Sequence, residues 1–300
     1  MKISMSFRFL TIFLLGFILI TGCDRSDLPT ASEEMLDDSA EFSLQKKSDS
    51  GTIIPGIVHW WPGDGNAKDV IGGNDGQLKG GATFAPGQVG EAFSFDDGYV
   101  FIPDEVGGWP EATVEAWVKT EGITGAFQAI MVGDNVAPDF VHLQLHYGWE
   151  NVVYIDGAPH WLCLPHIDPE PLVGEFHHIA MSIQSGNTIL YVDGEEVPPT
   201  HHPNPNLTSF NSTNKGEITI GGGWCAPMIR RFNGLIDDVR IYKHALSADE
   251  IQAIVNAGTK GMKVAILHKP GTRAEKTLVI PFDALADHLG HGDEIIGITN

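Results

Sequence analysis

The stretch from Phe232 to Tyr242, which reads Phe-Asn-Gly-Leu-Ile-Asp-Asp-Val-Arg-Ile-Tyr, decides the fold prediction. Its Asn-Gly pair is a turn signal, and the residues that follow include the β-branched and aromatic types that are enriched in strands. We therefore predict a turn followed by a long strand over Gly234–Tyr242.

Similar runs recur along the middle of the chain, each bounded by Gly, Pro, Asn or Asp. They are Ala92–Phe95, Tyr99–Ile102, Thr113–Lys119, Phe127–Val132, Val141–His146, Val152–Ile155, His177–Gln184, Thr188–Val192 and Glu217–Ile220. Many short strands separated by turn signals are typical of a β-sandwich or barrel. Asp75-Gly76 and Asp193-Gly194 are predicted to be tight hairpin turns, because Asp-Gly pairs favour them.

One helical pattern follows the last of these runs, over Ser247–Val255. Ser247 is the predicted N-cap, and Glu250 three residues later completes a capping box. Gly258 supplies the stop signal. The sequence therefore predicts an all-β domain over residues 54–258 with one short helix at its end.

Several motifs occur in a fixed order within this domain. They are His59–Asp69, Gly72–Gly76, Gly87–Gly98, Thr113–Val118, His177–Ala180, Tyr191–Gly194, Phe232–Tyr242 and Ala245–Ile251. In this order they resemble the concanavalin A-like, laminin G-type jelly rolls. The resemblance implies two antiparallel sheets, a concave face and, in many relatives, a calcium ion. Such domains mostly bind glycans or proteins, and a few related folds are glycosidases, so the fold does not select the function.

Calcium prefers carboxylate and backbone carbonyl oxygens. In related jelly rolls a structural ion links the loop after the first strand with the last long strand. The resemblance thus implies Asp64, Asp69 and Asp237 as calcium ligands. The alternative is that these residues only form turns, in which Asp is also favoured.

Tryptophans supply the first candidate sugar contacts. Trp149, Trp161 and Trp224 lie in or beside predicted loops, where a large apolar ring needs packing or a ligand. If Cys163 and Cys225 form a disulfide, Trp161 and Trp224 come close together. Two free thiols, or tryptophans that merely cover the disulfide, are the alternatives. Trp60 and Trp117 lie within strand motifs and are predicted to be core residues.

A polar row supplies the second set of candidates. The period of two along a strand places His142, Gln144 and His146 on one face of the run Val141–Tyr147. These side chains are suited to contact sugar hydroxyls, although a simple solvated face would have the same composition.

The first 23 residues have the pattern of a targeting signal. Lys2 and Arg8 precede an apolar run from Phe9 to Ile20, which is too short to span a bilayer. The ending Ile-Thr-Gly-Cys resembles the lipobox of bacterial lipoproteins, which implies cleavage after residue 22 and lipidation of Cys23. Residues 23–53 are polar and acidic, as in a flexible tether. We expect a lipid-anchored envelope protein, on either the inner or the outer membrane.

The composition narrows the classes of partner. The chain of 300 residues carries 39 Asp and Glu against 18 Lys and Arg, a formal charge of -21. So acidic a protein is repelled by phosphate backbones, which excludes nucleic acid as a partner. Three cysteines are too few for a disulfide-dense scaffold.

The last forty residues form a separate small element, predicted over 261–300. Strands are expected over Lys263–Leu267 and Lys276–Ile280, and a short helix over Phe282–Leu289. The pattern His-Lys-Pro-Gly followed by His-Leu-Gly-His-Gly-Asp resembles a short C-terminal element of secreted bacterial proteins. Its residues His268, His288, His291 and Asp293 are of types that bind zinc, with turn formation and packing as the alternative.

No catalytic motif stands out. The Glu-x-Asp-x-x-Glu strand of glucanase relatives is absent from the sequence, and so is a Gly-x-Ser-x-Gly elbow. The prediction is a non-catalytic envelope lipoprotein that binds carbohydrate or a cell-surface protein with the assistance of calcium. A polysaccharide hydrolase and a structural adhesion module are the alternatives.

Overall fold

A computed structural model describes residues 54–107, 109–122, 127–133, 141–146, 152–153, 172–184, 187–197, 215–225, 228–258, 263–281 and 284–299. The predicted signal segment, Cys23 and the acidic tether lie outside these residues. No helix within the described ranges is long and apolar enough to cross a membrane.

Strands dominate the described chain, and two helices accompany them. The strands are β1 (Ile57–Trp61), β2 (Gln77–Gly80), β3 (Thr83–Pro86), β4 (Glu91–Phe95), β5 (Gly98–Gly107), β6 (Ala112–Thr120), β7 (Phe127–Gly133), β8 (Val141–His146), β9 (Val152–Val153), β10 (His177–Gln184), β11 (Asn187–Val192), β12 (Glu195–Glu196), β13 (Lys215–Ile220), β14 (Gly222–Cys225), β15 (Met228–Arg231), β16 (Gly234–Tyr242), β17 (Lys263–His268), β18 (Lys276–Pro281) and β19 (Glu294–Thr299). The helices are α1 (Ala248–Gly258) and α2 (Leu285–Gly290).

Two large antiparallel sheets form a jelly-roll sandwich, which confirms the predicted fold. The eight-stranded sheet runs β12-β11-β10-β6-β16-β4-β3, and β1 pairs with the second half of β16. The six-stranded sheet runs β2-β5-β13-β7-β8-β9. The stretch that decided the prediction, β16, is central to the first sheet and is buried along its whole length.

The main core lies between the two sheets. On the six-stranded side, one row of cross-strand partners faces it, made of Val100, Ile220, Met131 and Leu143, all fully buried. On the eight-stranded side, alternate residues of β6, including Val114 and Ala116, belong to the same cluster. The period of two along each strand thus separates a core-facing set from an outward-facing set.

Turn chemistry explains one predicted hairpin and corrects the other. Asp193 and Gly194 both have positive φ, 53° and 84°, and join β11 to β12 in the predicted two-residue turn. The prediction for Asp75-Gly76 was wrong, because this pair lies in a longer loop before β2. There the Asp75 carboxylate accepts the backbone N–H of Asp69, and Gly76 donates to the Ala67 carbonyl.

The helix α1 begins with the predicted capping box. The Ser247 Oγ accepts the Glu250 backbone N–H at 3.4 Å, while the Glu250 carboxylate accepts the Ser247 backbone N–H at 2.8 Å. The helix then continues to Gly258, slightly beyond the predicted end at Val255.

The C-terminal element is a three-stranded sheet in the order β18-β17-β19, with α2 before the last strand. Its first two strands were predicted, whereas β19 was not. The helix α2 covers Leu285–Gly290, and Phe282, where the predicted helix began, lies outside the described residues. The backbone of Ile298 exchanges hydrogen bonds with Ile54, which joins the element to the start of the sandwich.

Candidate functional site

The outward side of the eight-stranded sheet is covered by other parts of the chain. Residues of α1, including Ile251 and Ile254, and residues of the C-terminal element, including Val264 and Ile298, share one apolar cluster with Trp60 of the sheet. We call this side the covered face. It is a second core layer, so it does not offer a binding surface where it is described.

A fully buried ionic network lies within the eight-stranded sheet. Glu115 on β6 accepts hydrogen bonds from Arg240 at 2.8 Å and contacts the His178 Nε2 at 2.6 Å. Arg240 also pairs with Asp238 at 2.8 Å, and the Trp60 indole N–H donates to Asp238 at 2.7 Å. The Arg240 guanidinium lies 4.9 Å from the centre of the Trp60 ring.

Burial and pairing set the ionisation of this network. Burial alone would favour the neutral form of Glu115, but Arg240 and His178 hold the pKa of Glu115 below its usual value. Burial would also lower the pKa of Arg240, yet Asp238 and Glu115 raise it. Because Glu115, His178 and Arg240 are wholly inaccessible, the network holds strands together and does not reach a substrate.

The outer side of the six-stranded sheet carries a continuous cross-strand row. Successive partners are Gln77, Phe101, Thr219, Val132, His142 and Val152, one from each of the six strands. The predicted position of His142 on a face of β8 therefore places it in line with Phe101 on β5. Nothing in the sequence alone gives this register, because it depends on five strand pairings.

At the β2–β5 end of this sheet, aromatic and polar side chains reach solvent. Tyr99 is 39% exposed, and Phe101, two residues on, is partly exposed on the same side of β5. Their partners across β2 are Lys79 and Gln77. The Lys79 ammonium donates to the Gln77 side-chain oxygen at 2.8 Å and lies 5.8 Å from the centre of the Phe101 ring. We call these four residues the exposed patch.

The hairpin of β14 and β15 lies next to this patch. It lies close to β5, β13 and β7, and within the described residues its two strands pair with each other and with no strand of the six-stranded sheet. An ion pair between Arg231 and Asp97 fixes its base to the turn that leads into β5. Trp224, one of the predicted sugar contacts, belongs to β14.

The β7–β8 part of the same outer side is buried. Gln144, opposite Ala129, is only 1% exposed. The prediction that Gln144 contacts a sugar is therefore corrected, because its amide is enclosed by protein. His142 and His146 lie on β8 as expected from the strand pattern, and their role stays a prediction.

The remaining predicted sugar contacts, Trp149 and Trp161, lie outside the described residues. So does Cys163, and its pairing with Cys225 of β14 stays a prediction. Trp60 and Trp117 are buried as predicted, at 1% and 3% exposure. The sequence interpretation missed Tyr99 and Phe101, whose alternation with Val100 and Ile102 was the signal for an outward pair.

Two of the predicted calcium ligands converge on one loop. Asp237 of β16 accepts the backbone N–H groups of Gln88 and Val89 at 2.8 and 3.0 Å, while Asp64 accepts that of Glu91 at 2.7 Å. The second oxygen of Asp237 is buried and has no hydrogen-bond partner within the described part of the chain. Burial and the neighbouring Asp238 raise the pKa of Asp237 to about 8. A hard cation fits such an oxygen.

A bulge in β16 separates the two consecutive acids. The register shifts between Asp237 and Arg240, and Asp238 has a positive φ of 54°. Asp237 consequently reaches the loop over residues 87–91, whereas Asp238 joins the buried network with Trp60.

Asp69 does not fit a calcium site, which corrects that prediction. One of its oxygens accepts the backbone N–H groups of Trp60, Ile71 and Gly72. The other contacts the His59 Nδ1 at 2.7 Å and accepts the Asn74 backbone N–H at 3.1 Å. Both oxygens are thus engaged by the protein, and Asp69 shapes the loop, as the alternative reading of the sequence had it.

The fold and these surfaces define a lectin-like jelly roll. Residues 94–252 match the family described as the concanavalin A-like lectin/glucanases superfamily, of the laminin G type. The match covers more than half of the chain, and the protein belongs to this superfamily.

Two solved structures that resemble this chain in part or in whole were determined in complex with a sugar. Domain 4 of a GH43 extracellular arabinanase from Geobacillus stearothermophilus, solved with arabinotriose, has a TM-score of 0.51 and 21% identity, covering 67% of this chain and 98% of the domain. Trypanosoma rangeli sialidase, solved with sialic acid, has a TM-score of 0.50 and 15% identity, covering 73% of this chain and 37% of the sialidase. At these identities the likeness establishes the fold alone.

Proposed function

We propose that this protein is a non-catalytic, carbohydrate-binding lipoprotein of the cell envelope, with the sugar seated on the exposed patch of the six-stranded sheet. The observation that carries the proposal is the contrast between the two outer faces. One is closed by α1 and the C-terminal element, and the other presents Tyr99 and Phe101 to solvent.

The chemistry of the patch suits a sugar ring. Aromatic faces stack on the apolar C–H side of a sugar, while neighbouring polar groups bind its hydroxyls. Tyr99 and Phe101 supply the rings, and Gln77 and Lys79 supply an amide and an ammonium beside them. The hairpin that carries Trp224 lies close to β5, and we propose that it borders the sugar.

The acidic residues support binding over hydrolysis. Glycoside hydrolysis uses two carboxylates placed on either side of the scissile bond. Within the described residues, the fold brings two such pairs together. Glu115 and Asp238 are buried in the ionic network and pair with Arg240. Asp64 and Asp237 bind the backbone of the loop over residues 87–91. We assign both pairs to the architecture.

Calcium has a place in this proposal as a support for the loop over residues 87–91. Asp237 and Asp64 would hold the ion, the former through its unpartnered oxygen. The ion would supply positive charge to a buried carboxylate and fix the loop that both residues already bind.

The membrane anchor that we propose is a lipid on Cys23. Labelling of the wild type with a radioactive fatty acid, and loss of the label in a Cys23→Ser variant, would test it.

A glycan array probed with the protein produced without its lipid anchor, in the presence and absence of a chelator, tests the proposed function. We expect binding to one class of glycan and no release of reducing sugar from the bound polysaccharide. Binding should be weakened by Tyr99→Ala and by Trp224→Ala, with Trp161→Ala as a further probe. Release of reducing sugar without retained binding would contradict the proposal and support the hydrolase.

A further inference from the structure

Three side chains from different parts of the C-terminal element meet at one point. His268 ends β17, His288 lies in α2, and Asp293 directly precedes β19. The Nδ1 atoms of both histidines lie 2.7 Å from the same oxygen of Asp293, Oδ2. One potential ligand atom from each residue lies within 4.8 Å of the others.

The backbone holds the carboxylate of this cluster in place. The second oxygen of Asp293 accepts the Lys269 backbone N–H at 3.0 Å, and the Asp293 N–H donates to the His288 carbonyl at 3.2 Å. The Asp293 side chain is 1% exposed. The Nδ1 atoms of both histidines and the Lys269 backbone N–H therefore converge on this one carboxylate.

The two imidazoles approach the Asp293 carboxylate from different directions. Their ring centres are 5.8 Å apart and their planes meet at 75°. The side chains of His268 and His288 remain 20% and 25% exposed, so the cluster is open to solvent on one side. A small ion can therefore enter without unfolding the element.

This donor set has the chemistry of a transition-metal site. Two neutral imidazoles and a carboxylate, with one position left for water, are a common ligand set for zinc. Zinc bonds of about 2.0–2.1 Å at tetrahedral angles place ligand atoms about 3.3 Å apart, which is about 0.6 Å more than the 2.7 Å between each Nδ1 and Asp293 Oδ2. A neutral imidazole that binds the metal through Nδ1 carries its proton on Nε2, so binding selects that tautomer of both histidines.

We propose that His268, His288 and Asp293 bind a divalent transition-metal ion of the zinc class. The ion fastens the end of β17, the helix α2 and the start of β19 to one another. This site is distinct from the calcium site that we propose in the sandwich, because nitrogen ligands select zinc over the harder cation. His291, also considered from the sequence, is exposed, and the cluster does not include it.

Titration of the untagged, chelator-treated full chain with Co²⁺, followed by displacement with Zn²⁺, tests this site. We expect visible absorption bands that saturate at one Co²⁺ per chain and disappear when Zn²⁺ is added. His268→Ala and His288→Ala should each weaken binding by at least about tenfold, and the double variant should lose the bands. His291→Ala is the matched control and should titrate like the wild type.

A second measurement separates loss of the site from loss of folding. Zn²⁺, but not Mg²⁺, should raise the melting temperature of the wild type. Asp293→Asn preserves the size of the side chain and should weaken Co²⁺ binding by at least about tenfold while the strand signal in circular dichroism is retained. The proposal would be overturned if the wild type showed neither the absorption bands nor the shift in melting temperature, or if the double variant bound Co²⁺ as the wild type does. The three residues would then be a hydrogen-bonded cluster that only supports the fold.

Discussion

The two outer faces of this sandwich use polar and aromatic residues in opposite ways. On the covered face, Glu115, Arg240 and Asp238 are buried and form ion pairs in the centre of the eight-stranded sheet. On the six-stranded sheet, the exposed patch keeps the Tyr99 and Phe101 rings in contact with solvent. The buried charged residues thus hold the sheet together, whereas the exposed rings are the surface that we propose for carbohydrate binding.

The largest expected effect is on the covered face. Glu115→Gln removes the charge that Arg240 and His178 contact, and breaking a buried ion pair in this way costs about 3–5 kcal/mol. Urea unfolding of the variant measures the loss. The control is Glu196→Gln on the exposed hairpin, with a change within about 0.5 kcal/mol. If Glu115→Gln lowered the free energy of unfolding no more than the control does, the network would have no structural role.

The second prediction concerns Asp237 and pH. Because burial and Asp238 raise its folded pKa to about 8, from a usual value of 3.8, the folded protein keeps a proton that the unfolded chain releases. Without calcium, this group's contribution lowers the free energy of unfolding as pH rises from about 4 to about 8. Asp237→Asn removes that contribution, so the stability of the variant relative to wild type should increase with pH over this window.

Calcium and a control variant sharpen that measurement. The ion favours the ionised carboxylate, so it should stabilise the wild type most at the upper end of the window and Asp237→Asn much less. Asp96→Asn removes an exposed carboxylate and should respond to calcium as the wild type does. Equal calcium stabilisation of the wild type and Asp237→Asn would exclude Asp237 as a ligand.

A substitution in the exposed patch is expected to have a smaller effect, which changes glycan affinity and leaves stability nearly unchanged. Tyr99→Ala should weaken glycan binding about tenfold, which corresponds to about 1.4 kcal/mol, while changing stability little. Leu78→Ala is the matched control, because Leu78 is 36% exposed on the neighbouring strand but pairs with Val100 on the other side of the sheet. Isothermal titration calorimetry compares the two variants, which should differ only in Kd.

The smallest effect belongs to the capping box at the edge of the covered face. Ser247→Ala removes the side-chain acceptor of the Glu250 backbone N–H and should cost about 1 kcal/mol of stability. Ser247→Asp, which retains an acceptor, should cost less. Thermal unfolding that does not distinguish the two substitutions would show that the cap contributes nothing at this exposed site.

Much of the fold could be predicted because its signals are local. The bounds of Gly234–Tyr242 and His177–Gln184 agree with β16 and β10, since strand composition and flanking turn residues are close in sequence. The turn at Asp193-Gly194 and the capping box of Ser247 are likewise local. Asp75-Gly76 shows the limit, because the Asp75 carboxylate accepts the Asp69 backbone N–H and Gly76 donates to the Ala67 carbonyl, so the pair is held in a longer loop.

The candidate sites depend on pairings that local signals do not contain. Glu115 and His178 are 63 residues apart, and Glu115 and Arg240 are 125 apart. Tyr99 is exposed because β2 is an edge strand and β5 presents that side to solvent, which follows from the sheet order. The role of Asp69 in its loop was open in the sequence, since Asp is favoured both in turns and at calcium.

Backbone amide chemical shifts test the central claim, that the six-stranded sheet's exposed patch is the carbohydrate-binding face. The soluble chain would be titrated with an oligosaccharide that binds on the array, and the shifted resonances assigned. We predict the largest changes in β2 and β5, around Gln77 and Tyr99, and their loss in Tyr99→Ala but not in Leu78→Ala. Changes confined to α1 and the C-terminal element, with β2 and β5 unaffected, would contradict this account.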